Sequence, residues 1–269
     1  MRKLPRVVAH RGASADDPEH TLAAYKRAID VGADGLECDV RLTADGHLVC
    51  VHDRRIDRTS NGHGVLSTKS LSELEAYDWG SWKHPAEPPD LDARRLLTLE
   101  TLLATVRDAD RPVELAIETK HPTRYAGLVE RRLIEALDRF GWARPRLGTE
   151  SPIRVMSFSW LSLRRMRAAA PALRTVLLMD RVPLRFRDGS LPTGVSDAGP
   201  SLGIVTAHPE YVERAQKHGH QVHVWTVNAE ADIRRCRDLG VDVVISDRPD
   251  VALRVLAEEV GRRAEPESL

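Results

Sequence analysis

Lysine is scarce in this chain, at six of its forty basic residues, and those forty are matched by forty acidic ones. With no net charge there is no global basic field to hold nucleic acid or an anionic membrane, so any phosphate affinity must be local. Cysteine is equally sparse. Cys38, Cys50 and Cys236 are too few for a disulfide framework and show no CxxC metal spacing, so all three read as reduced. The first residues are basic but lack the apolar stretch of about 7 to 15 residues of a signal peptide, and no apolar run reaches the roughly 18 residues of a membrane span. These absences lead to the expectation of a soluble cytoplasmic protein without stable membrane insertion.

What is present is a length of 269 residues, near the roughly 250 typical of one (β/α)8 barrel, and a hydrophobic share of 42%, enough for a sizeable core. A single domain over 1–269 is therefore expected. Short β-branched runs alternate with amphipathic stretches, the pattern of a parallel sheet with helical crossovers. Strands are predicted at 6–9, 35–41, 47–52, 113–118, 154–157, 174–178, 202–206, 221–226 and 241–246. The link between the second and third contains Asp45-Gly46 and is too short for a parallel crossover, so 47–52 folds back as a hairpin arm and eight strands remain for an α/β (β/α)8 TIM barrel. Helices are predicted at 22–29, 98–106, 125–140, 160–169, 209–218, 230–239 and 249–263. The stretch 54–97 is a small insertion with Trp79, Trp82 and several prolines and a helix at 70–77, expected to serve as a lid that tunes the substrate; 181–200 reads as a second irregular loop.

Chemistry-bearing residues gather at strand ends. The first strand ends in His10-Arg11-Gly12, and the second carries Glu37-Cys38-Asp39, where the period of two throws both carboxylates to one face. Barrel interiors are normally branched and apolar, so two carboxylates there call for a cation, and oxygen donors suit Ca2+ or Mg2+. The hairpin is expected to return His52 roughly opposite Asp39, and the fourth strand ends in Glu118-Thr119-Lys120, again with both charges on one face. Three carboxylates can hold a divalent cation, which with Arg11 and Lys120 can neutralise a transferring phosphoryl group, and two histidines can move protons, which is the equipment of phosphodiester cleavage. His20 opens the first helix close to this group, with Glu19 beside it as a cap or buttress. Trp225 ends a late strand, where a core place and a place at the mouth are both open. His47, His63, His84, His121, His208, His218, His220 and His223 read as residues of turns, loops or exposed helix ends.

At these residues the sequence resembles the glycerophosphodiester phosphodiesterase family. His10-Arg11-Gly12-Ala13, Pro18-Glu19-His20-Thr21, Glu37-x-Asp39, Val51-His52-Asp53, Glu118-x-Lys120, Trp225-Thr226-Val227-Asn228 and Ser246-Asp247-x-Pro249 stand in the family's order, over about 7–250. Position 20 is His where many relatives carry Asn, and Ser246 stands for a common Thr. The resemblance implies a barrel with an insertion after the His-Asp motif. It implies one divalent cation, Ca2+ or Mg2+, on Glu37, Asp39 and Glu118, with His10 as general base, His52 as general acid, and Arg11, Lys120 and Trp225 toward the substrate. It also implies hydrolysis of a glycerophosphodiester, through a cyclic phosphate, to sn-glycerol 3-phosphate and an alcohol. A phospholipase D-like cleavage of lysophospholipids or sphingomyelin on the same barrel is the nearest alternative. An idle barrel that binds phosphorylated metabolites would not need all five metal and histidine residues, and a sugar isomerase would need a fuller ligand set.

Overall fold

The computed structural model describes residues 3–85, 90–123, 127–146 and 148–264. In chain order the elements are β1 (Arg6–His10), α1 (Leu22–Asp30), β2 (Gly35–Leu42), β3 (Leu48–Cys50), a 3-10 turn (Leu66–Thr68), α2 (Leu71–Glu75), α3 (Leu91–Arg94), α4 (Leu99–Arg107), β4 (Glu114–Thr119), α5 (Leu128–Arg139), β5 (Ile153–Ser157), α6 (Trp160–Ala169), β6 (Arg174–Met179), a 3-10 turn (Leu184–Phe186), β7 (Asp197–Pro200), α7 (Leu202–Ala207), α8 (Glu210–Lys217), β8 (His223–Val224), α9 (Glu230–Leu239), β9 (Val243–Ser246) and α10 (Pro249–Ala264). The start of the helix predicted at 125–140 falls on 125–126, outside the described residues. The parallel strands run in the order β7-β6-β5-β4-β2-β1-β9-β8. Bridges between Ala198 and Val222 and between Ser201 and Trp225 bring β8 back to β7, so eight parallel strands nearly close into a barrel.

The hairpin arm forms as the short Asp45-Gly46 link demands, with β3 antiparallel to β2 and Val40 opposite Cys50. Its register differs by one residue from the sequence expectation. The Val51 amide donates to the Asp39 carbonyl at 3.0 Å, so Val51 rather than His52 lies opposite Asp39. A second difference is larger. The apolar run at 202–206 is helix α7, and the strand is Asp197–Pro200, inside the stretch expected as a loop. Short apolar runs do not reveal their period, and Asp, Gly and Pro are depleted in strands. Packing selects them here: a Cβ on Gly199 would come within 2.9 Å of the Leu178 side chain and 3.1 Å of the Leu177 carbonyl, so glycine lets β7 lie this close to β6 without a shift of its neighbours.

Inward positions of the barrel form one apolar plug of Val8, Ala116, Met156, Val176, Leu178, Val243 and Ile245. The period of two then carries the same face upward from Val8 to His10, from Ala116 to Glu118 and from Met156 to Phe158. The larger apolar cluster lies between the strands' outward faces and the helices, and there Cys38 packs with Tyr25, Leu36 and Val40. Helix starts are fixed locally: Thr21 accepts from the Ala24 amide at the head of α1, and Ser70 with Glu73 forms a capping box at α2.

At the N-terminal mouth Asp197, fully buried, is bonded by Arg174 and Arg154, and Arg154 also reaches Glu114. His223, expected in a loop or exposed end, is instead 1% exposed in β8, where burial and the positive charge of Arg154 and Arg6 hold it well below the usual imidazole value. These charge pairs hold the barrel together, since chemistry in such barrels sits at the opposite mouth.

Within 54–97 a separate apolar cluster of Ile56, Leu66, Leu74, Trp79 and Leu96 packs on Val49 and Val51. The insertion leans on the β1–α1 loop, where the Lys83 ammonium reaches the Asp17 carbonyl at 3.1 Å and Arg58 pairs with Glu19. Residues 86–89 of it lie outside the described residues. Among the described residues no helix is long and apolar enough to cross a membrane.

Candidate active site

The site assembles where β1, β2 and β4 end side by side. Register places His10 against Glu37 and Asp39 against Glu118, so inward side chains from three neighbouring strands meet in adjacent rungs. Glu37, Asp39 and Glu118 are all buried, and each offers a carboxylate oxygen within 4.8 Å of the others. Arg11, at φ 58°, turns the chain sharply, so that its own amide donates to the Glu37 carboxylate at 3.1 Å while its guanidinium faces Asp39 at 3.1 Å and Glu19 at 3.0 Å. Gly12 completes the turn at φ 85°; a Cβ there would stand 2.7 Å from the Ala24 backbone, so the turn needs glycine at this spot.

The charges decide how the cluster behaves. Lys120 lies 2.9 Å from Asp39 and 2.8 Å from Glu118, so two cations, Lys120 and Arg11, face three carboxylates. Asp39 takes most of this compensation: despite burial, the hydrogen bond from His20 and the charge of Lys120 hold it well below the ordinary carboxylate value. The remaining deficit falls on its neighbours. Burial and the adjacent Asp39 push Glu37 well above its usual value, and the same two causes push Glu118 up to about 8. A buried set of oxygen donors that is one positive charge short fits a hard divalent cation, and the fit rests on these residues alone.

His10 and His52 flank the cluster in similar ways. The Nδ1 of His10 is 2.6 Å from Asp247, leaving Nε2 directed toward Glu37 at 4.0 Å. The Nδ1 of His52 is 2.7 Å from Asp53, and Arg41 grips the His52 carbonyl with bonds of 2.8 and 2.6 Å. Burial, Lys120 and Arg11 lower the His52 imidazole below its usual value, against the opposing pull of Asp39. A cavity of about 120 Å3 opens between His10, His52, Glu37, Glu118, Lys120 and an apolar wall that includes Trp225 and Phe158. Trp225 is at the mouth and against the plug at once. Its indole is fixed by a 2.8 Å bond to the Gly199 carbonyl and meets Phe158 edge to face at 5.4 Å.

Every residue singled out from the sequence therefore converges on one mouth, and three supporting residues join them. Asp247 is the first. The first and last strands are neighbours in the sheet and pair Ala9 with Ser246, so the next residues, His10 and Asp247, meet. The Ser246-Asp247 motif carried that signal, but 237 residues of separation hid its partner. Asn228 is the second: its amide donates to Asp247 at 2.6 Å and its carbonyl accepts the Asp247 amide at 2.9 Å. Tyr25 is the third, with its hydroxyl 2.8 Å from His20 Nδ1 and 3.0 Å from the Glu37 carbonyl.

His20 itself is 5% exposed, and its Nε2 donates to Asp39 at 2.9 Å. Burial lowers its pKa and favours the neutral ring, which suits one N–H aimed at a carboxylate. It orients a candidate ligand and does not reach the cavity. Replacing such a partner costs about 10 to 100-fold in metal affinity; His20→Ala should show that loss by calorimetry, while His20→Asn, which keeps a donor, should recover part of it. Equal affinity in wild type and His20→Ala would leave the histidine a packing role only.

Comparison with known proteins accords with this geometry. The model of the glycerophosphoryl diester phosphodiesterase family matches residues 10–251. The chain is 48% identical over 247 residues to the "Probable glycerophosphodiester phosphodiesterase 1" of Mycobacterium tuberculosis, covering 91% of this chain and 90% of that protein. It is 34% identical over 253 residues to the glycerophosphodiester phosphodiesterase of Caldanaerobacter subterraneus subsp. tengcongensis, covering 93% and 97%. Its fold is similar to the crystal structure of glycerophosphodiester phosphodiesterase from Agrobacterium tumefaciens, with a TM-score of 0.76, 25% identity, and coverage of 93% of this chain and all of that one. The chain belongs to the glycerophosphoryl diester phosphodiesterase family and is an enzyme of that type.

Proposed function

We propose that this enzyme hydrolyses glycerophosphodiesters to sn-glycerol 3-phosphate and an alcohol, with Glu37, Asp39 and Glu118 holding one Ca2+ or Mg2+ ion. The observation that carries the reading is the meeting of three buried carboxylates, two cations and two carboxylate-backed imidazoles around a single small cavity. When bound, the divalent ion supplies positive charge against the phosphoryl oxygens. Arg11 and Lys120 add fixed charge from either side of Asp39, and Trp225 offers an apolar face to the glycerol carbons.

Proton movement falls to the histidines. The glycerol hydroxyl next to the ester attacks phosphorus, loses its proton to one imidazole, and closes a cyclic phosphate as the other imidazole protonates the departing alcohol oxygen. Water then opens the ring with the two roles exchanged. The surroundings favour His52 as the base of the first step and His10 as the acid, the reverse of the assignment that the family resemblance implies. His52 is kept neutral by burial and nearby cations, and the charge of Asp53 behind it is shared with Arg58 at 2.7 Å. Asp247 behind His10 is anionic, held at about 2 against its burial, and its other side-chain partners, Ser14 and Asn228, are neutral.

The test is release of glycerol 3-phosphate from glycerophosphocholine, glycerophosphoethanolamine, glycerophosphoglycerol and glycerophosphoinositol. At least one of the four should turn over; failure with all four, in added Ca2+ and in added Mg2+, would sink the reading. The lysophospholipid alternative draws on exposed apolar residues beside the mouth, Phe158 at 45% and Leu161 at 50%, with Trp160 between them. Faster cleavage of intact lysolipid than of its deacylated form would favour it.

A further inference from the structure

Beside the catalytic cavity lies a second, larger cleft of about 420 Å3, and Lys120 forms part of the wall of both. One side of the cleft comes from the insertion, through Arg54 and the turn at Leu66–Thr68; the other comes from Arg41 of β2, Thr123 after β4 and Val129 of α5. Its charge is one-sided. Arg41, Arg54 and Lys120 line it, and among the described lining residues there is no carboxylate.

The compensation available to these cations is unequal. Lys120 is bonded to Asp39 and Glu118. Arg41 spends both of its described side-chain bonds on the neutral His52 carbonyl, and Arg54 lines the cleft beside it. The buried hydroxyl of Thr123 has no hydrogen-bond partner among the described residues. A cleft with surplus positive charge and an unmet hydroxyl is suited to an anion, and it begins where the phosphoryl group would sit.

The geometry points to this cleft as the subsite for the departing alcohol, and to substrates whose alcohol carries a further negative charge, such as a second phosphodiester. This rests on the diesterase activity proposed above. Glycerol phosphate fills the small cavity against Trp225, and the ester's other arm leaves past Lys120 into the cleft, where Arg54 meets its charge. The insertion thereby takes part in choosing the substrate through one wall of the cleft.

Two probes separate charge from shape. Glycerophosphoglycerol has a neutral departing alcohol. Bis(glycerophospho)glycerol extends it by one more glycerophosphoryl group and one negative charge, and has two equivalent scissile esters. We expect kcat/KM to favour the bis compound by about tenfold beyond the statistical factor of two at low ionic strength, the size of a charge interaction at a partly exposed site, and to fall as salt is added. Arg54 is exposed, so Arg54→Gln and Arg54→Glu should fold normally. The first should bring the corrected ratio to within about twofold of one, and the second should invert it. Binding of the two compounds to a His10→Ala variant, read by calorimetry, should follow the same order without turnover. A wild-type ratio equal to the statistical factor, or a ratio that Arg54→Glu leaves unaltered, overturns the subsite. Cleavage of neither compound would instead remove the activity on which the inference stands, so the two failures are distinct.

Discussion

Exhaustive removal of divalent cations is expected to lower glycerophosphodiester hydrolysis by at least about 10³-fold, and added Ca2+ or Mg2+ to restore it, because Lys120 and Arg11 alone leave three buried carboxylates short of positive charge before a phosphoryl anion arrives. Glu37→Gln should weaken cation binding while leaving the fold intact. The pH dependence has a definite sign. Burial and Asp39 raise Glu37 and push Glu118 up to about 8, so in the cation-free protein Glu118 holds a proton near neutrality. Its raised folded pKa means that the cation-free fold keeps the corresponding stability below the unfolded value of about 4.3 and loses it as pH climbs through the folded one. A cation displaces the proton and reverses the dependence, so its apparent affinity rises with pH. The gain in Tm on adding Ca2+ should therefore grow between about pH 6 and pH 9. Full turnover in chelator after dialysis, or a Tm gain flat across that range, would remove the cation from this account.

Much of this site was legible because barrel chemistry lies at strand ends and the period of two assigns faces. Glu37 with Asp39, and Glu118 with Lys120, are pairs two residues apart, and the fold places each pair on the inner face as the spacing requires. What could not be read depends on contacts that sequence spacing does not encode. The strand Asp197–Pro200 has a loop's composition and is selected by the close approach of Leu178 and by bridges to β8. His223 falls inside the strand predicted at 221–226, and what went unread was its burial, because a two-residue strand leaves almost no periodic signal of which face is covered. The bond between His10 and Asp247 joins the first and last strands, 237 residues apart, and that between His20 and Asp39 needs the left-handed turn at His20, φ 61°, which proximity to a helix start did not announce. The one-residue slip of the hairpin matters for the same reason. His52 reaches the cavity from beyond β3, through a bend held by Arg41, and not as a paired strand residue.

Loss of either His10 or His52 should reduce turnover by about 10² to 10⁴-fold, the usual worth of a positioned proton transfer. The two losses differ in what repairs them. An ester of glycerol phosphate with nitrophenol departs as a stabilised anion and needs little protonation, so it should restore the variant that lacks the acid and not the one that lacks the base. The proposed mechanism makes His10 the acid, because Asp247 faces it with a carboxylate whose remaining side-chain partners are neutral, whereas Asp53 behind His52 is shared with Arg58, and burial with Lys120 and Arg11 lowers the His52 imidazole. His10→Ala should therefore recover most of its lost rate on the nitrophenyl substrate, while His52→Ala should not. Asp247→Asn keeps the hydrogen-bonding shape but removes the balancing charge, so it should follow His10→Ala in direction, with a smaller loss on natural diesters and a comparable rescue. Recovery confined to His52→Ala would exchange the two roles, and a loss below about tenfold in both histidine variants would place neither ring in the proton path.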